Sequence, residues 1–269
     1  MSEPPLSTAA ALPPEVLRSR RHTLALPRSR LGRLALRLQD RLEAFVAGVS
    51  VHPDTPVYDP ALFPWVARLE AHWREIRAEL DAVMSFRDRM PSFHEILQQV
   101  STITTDDDWK TFFLMAMGTD CSGNARRCPR TRALLRTIPG ISTAMFSILS
   151  PGKHIPPHRG AYNGVLRLHL ALRVPEPRQR CRIRVADRVL PWEEGKAMIF
   201  DDSFNHEVWN DTGGYRVVLF VDFARPLRQP WAALNRGLLR LGPLAPFVRE
   251  AGVRQKTWEQ RFYGADAPR

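Results

Sequence analysis

V-L-R-L-H-L-A-L-R-V, residues 165–174, alternates its side chains as a β-strand does. Leu166, Leu168 and Leu170 then point one way, and Arg167 and His169 the other. An arginine and a histidine sharing one face of a strand must meet either water or a polar cavity. The same texture runs from Ile141 to Asp222, with further short β-rich segments at 143–149, 182–185, 196–200, 207–209 and 216–222. Gly152, Pro156, Pro157, Gly160, Pro175 and Gly195 punctuate them. Several short strands without intervening helices predict an antiparallel sandwich, and the helical first half of the chain is expected to brace one sheet from outside. The fold class is therefore mainly β with flanking helices, an α+β arrangement.

Outward from this core, the chain divides into a flexible tail (1–17), a basic amphipathic helical segment (18–50), a helical support region (51–140), the β core (141–228) and a helical C-terminal extension (229–269). In the support region, Val66, Leu69, Trp73, Ile76 and Leu80 keep the helical period and read as core. Residues 93–100 and 129–137 read as further helices, and 106–117 as a strand or short element. The basic segment carries Leu31, Leu34, Leu38, Leu42 and Phe45 at helical spacing, with Arg30, Arg33, Arg37 and Arg41 one residue before the leucines. Two accounts stay open: a helix docked on anionic lipid, or a helix whose leucines pack on the domain while its arginines are solvated.

Hydrophobic residues at 44% and charged residues at 25% are near the averages for soluble proteins, so a core can be buried and general disorder is excluded. A net charge of +11 favours anionic partners. No nucleic-acid recognition signature accompanies that charge, so nucleic acid is not expected as a partner. Cys121, Cys128 and Cys181 are too few and too irregular for a disulfide framework or a four-thiolate zinc site, which fits a reducing compartment. No apolar run approaches the ~18 residues of a membrane span, and the N-terminus lacks a signal-peptide core. The expected location is cytoplasmic, peripheral to the inner membrane if the basic helix binds lipid.

The residues with most chemistry are S-I-L-S-P-G-K-H-I-P-P-H-R-G at 147–160 and F-D-D-S-F-N-H-E-V-W-N at 200–210. They offer His154, His158 and His206. Two imidazoles from separate strands with open coordination positions suit iron(II) oxygen chemistry, although each histidine alone is more often a hydrogen-bonded structural residue. Arg216 opens the strand R-V-V-L-F-V-D ten residues after His206, where a fixed guanidinium can bind a carboxylate in bidentate fashion.

These residues carry a resemblance. Residues 147–222 are similar to the catalytic domain of the aspartyl/asparaginyl β-hydroxylase family, in P-H-R-G at 157–160, R-L-H-L at 167–170, W-E-E-G-K at 192–196 and F-D-D-S-F-x-H-E-V-W at 200–209. The resemblance implies a double-stranded β-helix, or jelly-roll, core and a dioxygenase using Fe(2+), 2-oxoglutarate and O2 to hydroxylate an unactivated C–H. It also implies that His158 and His206 hold the metal. Gly160 stands where most of the wider superfamily has a carboxylate ligand, and the position so left is expected to hold an exogenous ligand oriented by Asp202. The resemblance assigns 2-oxoglutarate contacts to Ser147, Arg167, His169 and Arg216, with Arg216 on the distal carboxylate. His154 has no ligand role in the pattern, Trp192 to Lys196 reads as a turn, and Glu193 and Glu194 as solvent-facing.

For the substrate, H-R-G and H-E-V-W look like the peptide-hydroxylating branch, while R-P-L-x-x-P at 225–230 looks like the lipid A and ornithine-lipid hydroxylases. The arginine-rich amphipathic helix places an acyl chain of a bacterial membrane lipid ahead of an aspartyl or asparaginyl residue or a free amino acid. A non-catalytic β-rich binding module is the reading of another class. Joint retention of His158, His206 and Arg216 argues against it.

Overall fold

The computed structural model describes residues 29–116 and 119–264. The expected tail, together with residues 18–28 of the basic segment, lies outside the described residues.

In chain order the elements are helix α1 (Arg30–Gly48), strand β1 (Val57–Tyr58), helices α2 (Val66–Ala71), α3 (Trp73–Met84) and α4 (Phe93–Ile96), strand β2 (Trp109–Ala116), and helices α5 (Ser122–Arg127) and α6 (Pro129–Leu135). Strands β3 (Ile141–Leu149), β4 (His154–His158), β5 (Val165–Arg173), β6 (Cys181–Val185), β7 (Arg188–Pro191), β8 (Ala197–Phe200), β9 (His206–Asn210) and β10 (Arg216–Ala224) follow. Helices α7 (Trp231–Arg240) and α8 (Pro246–Gly264) close the described chain. Among the described residues the strands form a six-stranded sheet, β1-β8-β5-β10-β3-β2, and a four-stranded sheet, β4-β9-β6-β7. Every pairing is antiparallel. Two such sheets face to face make the jelly roll.

Alternation along the strands sorts the side chains into two cores. Leu166, Leu168 and Leu170 of β5 and Val217, Leu219 and Val221 of β10 pack outward, against Leu69 of α2 and Ile76 and Leu80 of α3. The opposite parity faces the small sheet: Met145 and Leu149 of β3 and Val218 and Phe220 of β10 meet Ile155, Ile183 and Val208. The helices thus brace the outer face of the large sheet and leave its inner face to the site.

Several expectations need correction. The core begins before Ile141, because β1 and β2 are strands of the large sheet. Six of the eight residues of β2, Trp109 through Leu114, are buried and give no alternation to read, since the sheet is covered on both faces. The helix expected over 93–100 breaks at Leu97, whose φ of -115° and ψ of 99° are extended, and a 3-10 turn over Gln98–Thr102 follows. Strand β4 was not anticipated, because Pro156 and Pro157 break the strand signal. It is an edge strand, where missing N–H donors are tolerated.

Helix α1 settles the account of its leucines differently from the packed alternative. Leu31 is 77% exposed, Leu38 56% and Phe45 44%. The buried residues are Glu43 and Val46. Glu43 is anchored by its ion pair with Arg159, and its carbonyl accepts from Asn163 Nδ2 at 2.8 Å. Val46 packs with Leu227 and Ala232. The face carrying Glu43 and Val46 therefore meets the protein and the leucine stripe faces out.

Candidate active site

His158 ends β4 and His206 opens β9, and the two are paired across the small sheet. Their rings lie 4.0 Å apart, tilted by 54°. Parity alone would not bring His158 inward. Between Ile155 and His158 the register shifts, Ile155 facing Val208 and His158 facing His206, so β4 spends one residue more than β9. That bulge lets Ile155 and His158 both point into the sandwich. His154 points outward instead, stacked on Trp209 and 2.8 Å from Glu207 Oε1.

Each inner histidine is fixed by its own turn. His158 Nδ1 lies 2.8 Å from the Pro156 carbonyl and His206 Nδ1 lies 3.0 Å from the Phe204 carbonyl. A ring Nδ1–H donated to a carbonyl leaves Nε2 as the nitrogen carrying the lone pair, the usual preparation of a metal-binding imidazole. Burial, then the neighbouring His158 and Arg167, hold His206 well below the ordinary imidazole range, so it is neutral at pH 7. Among the described residues no group of three or more His, Cys, Asp or Glu gathers as a metal set, so the protein offers a pair of nitrogens here.

The inner face of the large sheet supplies the rest. His169 on β5 sits opposite Phe220, and Ser147 on β3 sits opposite Val218, two residues along β10 from Arg216. Arg216 is 1% exposed, its guanidinium lying 4.7 Å over the Trp192 ring. Its Nε and Nη1 have no hydrogen-bond partner, and neither ring nitrogen of buried His169 has one. Burial pushes the guanidinium down to about 10, so it stays charged at neutral pH. A buried cation with orphaned donors is costly unless an anion completes it. One carboxylate at Arg216 and further oxygens toward His169 and the histidine pair would satisfy this cleft. The donor set fits a dicarboxylate beside an iron(II) ion held by His158 and His206.

Arg167, which the resemblance assigns to the cosubstrate, is engaged by protein carboxylates here. It donates to Asp222 through Nε at 2.8 Å and Nη2 at 3.1 Å, pairs with Asp202 at 2.9 Å, and lies 4.2 Å over the Phe220 ring. Burial pushes the Asp202 carboxyl up to about 7, with Arg167 opposing.

Gly160 is required by close approach. Its N–H donates to the Asp202 carbonyl at 2.7 Å, and a Cβ added there would lie 2.3 Å from Asp202 Oδ2. The Asp202 carboxylate thus fills the space a side chain at 160 would use. Gly160→Asp is accordingly expected not to install a third ligand but to displace Asp202 from Arg167. Iron affinity and turnover should fall by about 10–100-fold, the usual cost of disturbing the groups that orient a metal site. Iron titration and a turnover assay check this, and tighter iron binding with retained turnover would contradict it.

Of the candidate site residues, Ser147, His169, His206 and Arg216 are buried between the sheets, His158, Arg167 and Asp202 border a cavity beside them, and His154 faces away. The residues missed are Trp109, whose Nε1 donates to Ser147 Oγ at 3.0 Å, Trp192 beneath Arg216, and Asp222 beside Arg167. Parity with Arg216 would have found Asp222, because 216, 218, 220 and 222 share a face. Trp192 lay within a motif read as a turn, and Trp109 carried no signal.

Beside His158 an apolar cavity of about 560 Å³ opens. His158, Arg167 and Asp202 border it at one end, and Phe93, Leu97 and Ile103 from the support region and Phe247 and Val248 of α8 line the remainder.

The family model for aspartyl/asparaginyl beta-hydroxylase matches residues 70–226. Over 208 residues the chain is 51% identical to an ornithine lipid ester-linked acyl 2-hydroxylase of Rhizobium tropici, covering 77% of this chain and 74% of that one. Over 170 residues it is 36% identical to the aspartyl/asparaginyl beta-hydroxylase of Homo sapiens, covering 61% of this chain but 22% of that one, so it spans less than a quarter of that relative's length. A prolyl-4-hydroxylase structure from Pseudomonas putida is similar at 17% identity and a TM-score of 0.37, over 58% of this chain and 88% of that one.

Proposed function

The chain belongs to the aspartyl/asparaginyl β-hydroxylase family, and from that premise we propose that it is an iron(II)- and 2-oxoglutarate-dependent hydroxylase whose substrate is an ester-linked acyl chain of a membrane lipid of the ornithine-lipid type. The observation that carries the substrate class is the apolar cavity reaching His158, whose ring lies 4.0 Å from that of His206. Its wall of Phe93, Leu97, Ile103 and Phe247 suits methylenes and offers few partners for the backbone of a peptide.

When bound, iron(II) with 2-oxoglutarate and O2 supplies the oxidation that inserts one oxygen atom into a C–H bond, the other entering succinate as carbon dioxide is released. The chain's own residues bind, orient and exclude water. His158 and His206 each present Nε2, with ring directions set by the Pro156 and Phe204 carbonyls. Arg216, placed over the Trp192 ring, takes the distal carboxylate of the cosubstrate as a fork. Ser147, its Oγ already accepting from Trp109, has its own O–H to donate. Arg167 holds Asp202 at the edge of the cavity, where its carboxylate can orient a water or substrate group beside the histidine pair.

Incubation of the protein with iron(II), 2-oxoglutarate and ornithine lipid is expected to give lipid carrying one added oxygen in its ester-linked acyl chain, with stoichiometric succinate. Lipid profiling of cells with and without the protein should show the same gain. Succinate coupled only to hydroxylation of an aspartyl or asparaginyl peptide would replace the lipid reading with the peptide one.

A further inference from the structure

Two apolar stripes stand exposed on neighbouring helices. On α1, Leu31, Leu34, Leu38, Leu42 and Phe45 follow three- and four-residue steps, and on α7 Leu234 and Leu238 do so, with Leu241 just beyond its end. They meet where the Phe45 ring packs edge-on against Trp231, centroids 4.8 Å apart. Leu244 and Phe247 continue the exposed apolar surface, and Phe247 also lines the cavity. Exposed apolar side chains thus follow one another from the Phe45–Trp231 contact along α7 to Phe247 at the wall of the cavity. Contiguous exposed patches of this kind mark an interaction surface.

Charge identifies the partner. Arg30, Arg37 and Arg41 are exposed along one flank of the α1 stripe, Arg37 and Arg41 about 100° round the helix from Leu38 and Leu42. The acids of the helix lie on its other side, Glu43 being buried in its pair with Arg159. Leucines below and guanidinium groups level with them at the flank suit an anionic lipid surface, the long arginine side chains reaching phosphates while the leucines enter the acyl boundary. Among the described residues no helix is long and apolar enough to cross a membrane.

We propose that α1 and α7 together seat the protein in the interface of an anionic bilayer, with the cavity opening beside Phe247 toward the acyl chains. The inference rests on the acyl-lipid reading of the substrate. Both helices also hold the loop that follows His158. Arg159 and Asn163 bind Glu43 of α1, Tyr162 donates to Asn235 Oδ1 of α7 at 2.9 Å, and Asn235 Nδ2 donates to the Gly164 carbonyl at 2.8 Å. A surface that seats these helices thereby sets the orientation of the site to the lipid.

The test uses the full chain, phosphatidylcholine vesicles and vesicles with added phosphatidylglycerol, neither of which need be turned over. Wild type should co-sediment with the anionic vesicles and be released by salt. A variant with Arg30, Arg37 and Arg41 each changed to Gln should bind roughly 100-fold more weakly, about fivefold for each cation near an anionic surface. A second variant, with Leu38, Leu42, Leu234 and Leu238 each changed to Ser, should lose binding to both vesicle types. Both should still turn over a short-chain ornithine-lipid analogue dispersed as monomers, which shows that they are folded. Binding without turnover of any lipid would leave the docking surface standing and remove the acyl-lipid reading. Equal sedimentation of wild type and both variants would overturn the proposal, as would a lipid-free dimer that the serine variant converts to monomer.

Discussion

His158→Ala and His206→Ala are each expected to lower hydroxylation by more than about 100-fold, beyond the 10–100-fold typical of losing a group that only orients a ligand. The two rings are 4.0 Å apart, each pinned through Nδ1 to a carbonyl of its own turn, and no other described His, Cys, Asp or Glu joins them to make a set of three. Among the described residues no further ligand is therefore placed to replace a missing nitrogen. The fold should survive, because His206→Ala leaves only the Phe204 carbonyl without its donor, a cost of about 1–3 kcal/mol. His154→Ala is the comparator: its ring faces outward onto Trp209 and Glu207, and turnover should stay close to wild type. Turnover, iron titration and circular dichroism on the three variants check the set. Full activity in either inner variant would move the reaction centre elsewhere.

What could be read in the sequence follows from how local each determinant is. Strand parity is a property of adjacent residues, so residues 165–174 were enough to put Arg167 and His169 on one face, and both do line the inner face of the large sheet. Parity failed for His158, whose inward direction depends on a bulge over Pro156 and Pro157 set by pairing with β9, and there only the resemblance pointed to it. The partners of the site are less local still. Trp109 reaches Ser147 across 38 residues, and Asp202 and Asp222 converge on Arg167 from different elements. Amphipathicity in α1 showed that one face is apolar but not which face meets the protein. That is decided by the ion pair between Glu43 and Arg159, 116 residues apart.

Arg216→Lys is expected to raise the 2-oxoglutarate concentration for half-maximal turnover by at least about tenfold, ~1.4 kcal/mol of lost binding. The guanidinium is fully buried, lies 4.7 Å over the Trp192 ring, and leaves Nε and Nη1 without protein partners, a fork matched to a carboxylate. A lysine there presents a single nitrogen on a round head and loses the stacking. It also starts from a lower pKa than arginine, and the burial that pushes Arg216 down to about 10 would push a lysine down as well, toward the working range. Because the charged form is the one that binds the carboxylate, the penalty in Arg216→Lys should grow as pH rises through that lowered lysine pKa and shrink as pH falls. Wild type should show no such dependence near neutrality, since its guanidinium stays protonated well below pH 10. Half-saturation for 2-oxoglutarate measured across pH at saturating lipid separates these outcomes. An unchanged requirement for 2-oxoglutarate, with only the lipid dependence altered, would place Arg216 against the acceptor and leave the orphaned donors to a different anion.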